Sequence, residues 1–279
     1  MNDLKRLSIN QYTTFMQWSL PEAIAGYARH GVHGIAVSHA KLREVGVTAA
    51  AKLLRDHDMT VTGYCIGGLL TDSNDVDFQK SLDENHRVID EAAEIGAQCI
   101  VFVAGGLPEG SKDIEGTRNR CLHGLHEIIP YARKAGVTLA LEPLHPMTSA
   151  IRSCLTTLRQ ANDWYEQLGG HPNSTPELGI ALDVYHVWWE PNLAQEIERA
   201  AGRIVAFHVC DWLMDTVDLR LDRGMMGDGV IDIPQIRQLV EAAGYDGFCE
   251  VEIFSERDWW QRDPDEVVKI VKERFIKHV

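Results

Sequence analysis

The sequence predicts an α/β fold, a single (β/α)8 TIM barrel domain spanning residues 1–279. Three observations carry that expectation. Short β-rich runs alternate with amphipathic helical patterns from one end of the chain to the other, as an all-parallel sheet requires. Glycine stands at the end of most helical stretches, where a left-handed residue closes the last turn before the next strand. No linker, low-complexity tract or shift in composition divides the chain, and 279 residues suit one such barrel.

Taken in order, the first strand begins near Leu7, and the segment after it, to Thr14, has no glycine-rich phosphate loop. That absence sets aside the rival doubly wound sheet, which places such a loop after its first strand. A helix over 20–30 stops at Gly31, and the second strand starts near Ile35. Helix 49–57 leads to a third strand near Thr60, and helix 77–95, closed by Gly96, to a fourth near Gln98. Helix 118–135 ends at Gly136 before the fifth strand at Val137, and helix 154–168 ends at Gly169 before the sixth at Leu178. Helix 193–200, with Gly202 behind it, precedes the seventh strand at Arg203. Helix 233–243 ends at Gly244 before the eighth strand at Gly247, and helix 265–275 completes the set.

Composition narrows the function classes. The formal charge is −14, which argues against binding a phosphate backbone, since that affinity comes from clustered Lys and Arg. No run approaches the ~18 apolar residues of a membrane span, and no signal-peptide stretch follows Lys5 and Arg6. The six scattered cysteines form no C-x-x-C pair and read as reduced core thiols. A cytoplasmic enzyme acting on a small molecule, touching neither nucleic acid nor membrane, is the expectation.

The last four strands are the most informative. Alternate residues of a barrel strand point inward and outward. Val137, Leu139 and Leu141 share one face, while Thr138, Ala140 and Glu142 share the other. The same division sets Gly179, Ala181 and Asp183 apart on the sixth strand, Ile204, Ala206 and His208 on the seventh, and Phe248, Glu250 and Glu252 on the eighth. The large apolar faces must meet the helices, so the second faces point into the barrel. Glu142, Asp183, His208 and Glu252 then converge at the C-terminal mouth, where barrel enzymes place their active sites. Three crowded carboxylates repel one another unless a cation sits among them. Three oxygen donors and one nitrogen donor suit one divalent metal ion, Mn2+ first, with Mg2+, Co2+, Zn2+ or Fe2+ also accommodated. Glu250 lies one layer deeper and reads as a partner of this set.

Several motifs now show a resemblance. Glu142-Pro143-Leu144, Asp183-Val184-Tyr185-His186, His208-Val209-Cys210-Asp211, Arg223 with Gly227 and Gly229, and Val251-Glu252-Ile253-Phe254 follow one another on successive strands. In that order they resemble the xylose isomerase-like barrel superfamily of sugar phosphate isomerases and epimerases, which includes ketose 3-epimerases, hydroxypyruvate isomerases and inosose dehydratases. The resemblance covers nearly the whole chain. It implies a metal held by Glu142, Asp183, His208 and Glu252, with Glu142 and Glu252 moving a proton to and from opposite faces of the substrate. It implies that His186 and Arg223 hydrogen-bond the substrate oxygens, and that the protein is a homo-oligomer, a dimer or tetramer. The predicted reaction is isomerisation or epimerisation of a keto-sugar or polyol derivative through an enediolate.

His145 departs from the epimerase pattern, which has Asn three residues after the fifth-strand glutamate. Pro143 and Pro146 flank it and stiffen its loop. A similar E-P-x-H arrangement is expected in the barrel subunits of C-glycoside deglycosidases, so a lyase reading stays open, with His145 as base on a 3-keto-glycoside or keto-inositol. Such relatives also leave open a hetero-complex with a small subunit. His145 reads equally well as a substrate contact. An apurinic endonuclease shares this barrel, but the charge and the lack of further histidine ligands disfavour it. A non-catalytic metal-binding subunit is the remaining reading. Residues 212–222 form a long insertion, and only Arg220 and Arg223 lie near it to cradle a phosphate, so an unphosphorylated substrate is expected. Trp188, Trp189, Trp212, Trp259 and Trp260 follow the last strands, either as sugar-stacking walls or as loop packing. His39 is a pocket candidate, whereas His123 and His126 read as solvated.

Overall fold

A computed structural model describes residues 3–172 and 175–279. Eight parallel strands, β1 (Leu7–Asn10), β2 (Gly34–Ser38), β3 (Thr60–Gly68), β4 (Ile100–Val103), β5 (Leu139–Leu141), β6 (Leu178–Asp183), β7 (Ile204–Val209) and β8 (Cys249–Val251), pair in sequence order, and β8 closes on β1. The helices between them are α1 (Leu20–Arg29), α2 (His39–Val45), α3 (Val47–Asp56), α4 (Asp75–Ile95), α5 (Ile114–Ala135), α6 (Leu158–Gln167), α7 (Val184–Val187), α8 (Leu193–Arg199), α9 (Ile233–Ala242) and α10 (Pro264–His278). Strands buried on both faces need nearly continuous apolar sequence, as Ile-Val-Phe-Val in β4 illustrates.

The helix ends follow the expected chemistry. Asn74, Asp113, Thr157, Asp232 and Asp263 each accept a hydrogen bond from a backbone N–H in the first turn of the helix they precede. The glycines at 31, 96, 136, 169, 202 and 244 all have positive φ, between +67° and +95°. Two short helices, α2 and α7, were not expected. Residues 154–157 are not helical, because Thr157 is the N-cap that starts α6.

Large apolar side chains on the outer faces of the strands pack against the helices. Inside the barrel the residues are small: Cys99, Ala140, Ala181 and Ala206 form one cluster, and Ala36, Cys65 and Val101 another. One inward assignment is corrected. Ile180 pairs with Ile204 but Ala181 with Ala206, so β7 carries an extra residue at that point. The irregularity turns Val205 inward, against the Ala140–Ala181–Ala206 cluster, and leaves Ile204 in the outer core. Above it the alternation resumes, and His208 stays inward. All six cysteines are buried and free. Among the described residues no helix is long and apolar enough to cross a membrane.

Candidate active site

Glu142 follows β5, Asp183 ends β6, His208 lies in β7 and Glu252 follows β8. All four are buried, and one ligand atom from each lies within 4.8 Å of the others. The register explains the convergence: Asp183 pairs with His208, and His208 with Glu250, across adjacent strands. Small inner residues below them leave room for long side chains to lean toward the axis. His208 Nδ1 lies 3.2 Å from Glu142 Oε1 and Nε2 lies 3.5 Å from Glu250 Oε1. Neither approach has hydrogen-bond alignment, so Glu142 Oε1 and both His208 nitrogens are buried without a partner. Orphaned polar atoms in a buried site are costly unless something else ligates them. Three carboxylates and an imidazole that gives up its extra proton fit a divalent cation.

The surroundings hold these four side chains in place. Asn10, at the end of β1, donates from Nδ2 to Glu250 Oε1 at 2.8 Å and to Glu252 Oε1 at 2.9 Å. Thr62 Oγ1 donates to Glu250 Oε2 at 2.7 Å. Glu250 thus braces the floor of the site, as its deeper position implied. Asn10 escaped the sequence reading although it stands inward on β1, because a neutral amide there gave no charge signal. Arg223 Nη1 donates to Asp183 Oδ2 at 2.8 Å and to Glu252 Oε2 at 3.1 Å, and Nη2 lies 3.1 Å from His186 Nε2. Its partners are therefore residues of the site itself.

This charge balance perturbs the titrations. Burial would strip the His208 proton, but Glu250, Glu142 and Glu252 outweigh it and lift the imidazole to about 10 in the metal-free site. Burial, with Glu142 and Asp183, pushes Glu252 up to about 8 against the pull of Arg223 and His208. Burial also works against the Asp183 carboxylate, yet Arg223 and His208 hold it below the usual range. His186 falls to about 3, through burial first and Arg223 in addition, and is neutral.

His145 lies in the loop after β5, where it caps the turn Pro146–Thr148. Its backbone N–H donates to His186 Nδ1 at 3.1 Å, and its own Nδ1 accepts the Met147 N–H at 3.3 Å. The ring sits between Trp212, with centroids 4.8 Å apart, and Trp189, at 5.7 Å. Trp212 also packs on Tyr185 and Trp188. Trp260 instead donates to Tyr12 O and packs on Phe15 and Phe254, while Trp259 is buried. The His39 ring bonds the backbone carbonyl of Cys65, and His123 and His126 are exposed. The 212–222 insertion folds back over the mouth, pinned by the bridges Asp211–Gly224 and Asp222–Ser255. Arg152, which sequence reasoning passed over, lines the same opening.

A model of the family described as xylose isomerase-like TIM barrel matches residues 24–275. The crystal structure of protein SMc04130 from Sinorhizobium meliloti 1021 shares 46% identity and a TM-score of 0.95, over 99% of both chains. The structure of an IOLI protein with a bound zinc atom shares the fold at a TM-score of 0.84 and 18% identity, over 98% of both chains. The L-ribulose-5-phosphate 3-epimerase UlaE of Escherichia coli strain K12 is 27% identical over 178 residues, which are 63% of this chain and 57% of that enzyme. The match therefore spans little more than half the length of that relative.

Proposed function

Since the chain belongs to the xylose isomerase-like TIM barrel family, we propose that it is a divalent-metal-dependent isomerase or epimerase of a small carbohydrate, a keto-sugar or polyol derivative. The observation that carries this reading is the buried quartet Glu142, Asp183, His208 and Glu252, with Glu142 Oε1 and the His208 nitrogens lacking partners. Kinship with a named sugar epimerase supports the reaction class, and the zinc-bearing fold relative agrees with a metal at such a site.

These four residues would hold the ion, Mn2+ being best suited to the donor set. When bound, it supplies Lewis-acid stabilisation of the negative charge that develops on the enediolate oxygens. Glu142 and Glu252, arriving from β5 and β8, take the proton from one face of the carbon beside the carbonyl and return it on the other. The raised affinity of Glu252 for a proton suits this exchange. His186 and Arg223 bind the substrate oxygens on which charge builds.

His145 supports the isomerase reading over the lyase alternative. Its Nδ1 already accepts the Met147 N–H, so the neutral ring carries its proton on Nε2. Burial lowers its pKa, which keeps the ring neutral. His145 is thereby set to donate a hydrogen bond to a substrate oxygen, with the proton on the nitrogen a base would need free.

The test is proton exchange. Protein loaded with Mn2+ and incubated with a panel of ketoses in D2O should place one deuteron on the carbon next to the carbonyl, read by NMR. EDTA should abolish the exchange, and Glu142→Gln or Glu252→Gln should slow it about 10²–10⁴-fold. Absence of deuterium from every ketose would overturn the proposal.

A further inference from the structure

Beside the four-residue cluster the mouth opens into a cavity of about 670 Å3. Ile66 of β3 and Val103 of β4 line one side, and Leu219, Arg220 and Leu221 of the insertion line another. Arg152 enters from the loop after β5. Its backbone is well fixed. The Arg152 N–H donates to Thr148 O at 2.8 Å, the Leu107 N–H to Ala150 O at 3.0 Å, and the Cys154 N–H to Gly105 O at 2.7 Å. A Cβ on Gly106 would come within 2.6 Å of Ala150 O, so glycine there is what lets this segment approach.

Arg152 is half-buried, and its side chain makes no ion pair or hydrogen bond among the described residues. Burial, then the like charges of Arg220 and Arg223, pull its pKa down. Glu142 and Glu252 act on it only at longer range, outside ion-pair distance. Arg220 is exposed, and its side chain makes no hydrogen bond or close ion pair among the described residues, although its charge reaches the Asp218 carboxylate, which lines the same cavity. Two cationic forks facing one cavity, in a chain of net charge −14, are poised for an anion that would engage both.

We propose that Arg152 and Arg220 form a subsite for an anionic group of the substrate, a phosphate ester or a carboxylate, at the end of the sugar remote from the carbon served by Glu142 and Glu252. The inference rests on the isomerase reading and revises one expectation from sequence. Arg223, counted there toward a phosphate cradle, is tied through Nη1 to Asp183 and Glu252 beside the reacting carbon, while Arg152 takes part from another loop.

Calorimetric titration of the Mn2+-loaded protein with a free ketopentose, its 5-phosphate and the corresponding keto-acid sugar tests this without requiring turnover. At least one anionic sugar should bind about tenfold tighter than the neutral one, the gain expected of one charge-assisted contact. The tighter arm identifies the group as phosphate or carboxylate. Arg152→Met and, independently, Arg220→Met should collapse that ratio toward one, and Arg152→Lys should keep part of it. Equal binding of all three sugars, or an undiminished ratio in both methionine variants, would overturn the subsite. An anion preference that depends on Arg152, in a protein that exchanges no deuterium, upholds the subsite and sinks the isomerase reading. Exchange with neutral ketoses and no anion preference does the reverse.

Discussion

At Arg223 a single guanidinium nitrogen serves two carboxylates, Asp183 at 2.8 Å and Glu252 at 3.1 Å, all buried. It is their nearest positive charge. Arg223→Met should therefore destabilise the chelated protein by about 3–5 kcal/mol, the usual effect of removing one partner of a buried ion pair. Saturating Mn2+ should shrink that loss, because a bound ion would compensate the charge of the same carboxylates. Urea unfolding of wild type and variant, with EDTA and with Mn2+, measures both quantities. An identical loss in the two conditions would mean that Arg223 serves only to hold its loop. The convergence of Glu142, Asp183, His208 and Glu252 was legible from sequence because charged residues at the ends of otherwise small or apolar strand faces stand out against period-two alternation. Arg152 was not, because it sits in a turn with no periodicity, and its place at the mouth depends on contacts with the distant Gly105–Gly106 backbone.

Among the elements, the eight strands and the long helices could be read because each repeats its pattern over enough residues to identify the period. The four-residue α7 and the seven-residue α2 offer one or two turns, too few to show an amphipathic stripe. The β7 irregularity was invisible for a related reason: one extra residue exchanges Ile204 and Val205 between faces, and both are apolar. The loop after β7 depends on Asp211, whose Oδ1 accepts the N–H groups of Trp212 and Ile231 at 2.9 and 3.0 Å, while Oδ2 accepts that of Gly227 at 2.9 Å. Asp211→Ala should cost about 3 kcal/mol by leaving these N–H groups unpaired. Asp211→Asn should cost less, because its amide oxygen still accepts the first two. Chemical denaturation of the two variants ranks them, and equal losses would show that the loop does not rest on those bonds.

For the molecule as a whole, the metal-free mouth stores protons that an ion must displace. At pH 7 Glu252, raised to about 8, and His208, raised to about 10, are both protonated. Ligation needs both free, so ion uptake at that pH should release about two protons and weaken as the pH falls toward 6. The same shifts govern stability. A group whose pKa is higher in the folded state stabilises the fold fully below its unfolded value, near 4.5 for Glu and 6.5 for His. That contribution fades as the pH rises through about 8 for Glu252 and about 10 for His208. The chelated protein should thus lose stability on the alkaline side, where the loaded protein gains from tighter binding, about 2.7 kcal/mol once free ion reaches ~100 times Kd. The gap in Tm between Mn2+-loaded and EDTA-treated protein should widen from pH 6 to pH 9. A gap that stays constant over that range would mean that Glu252 and His208 do not give up protons to a metal, and the quartet would then be a buried polar network without an ion.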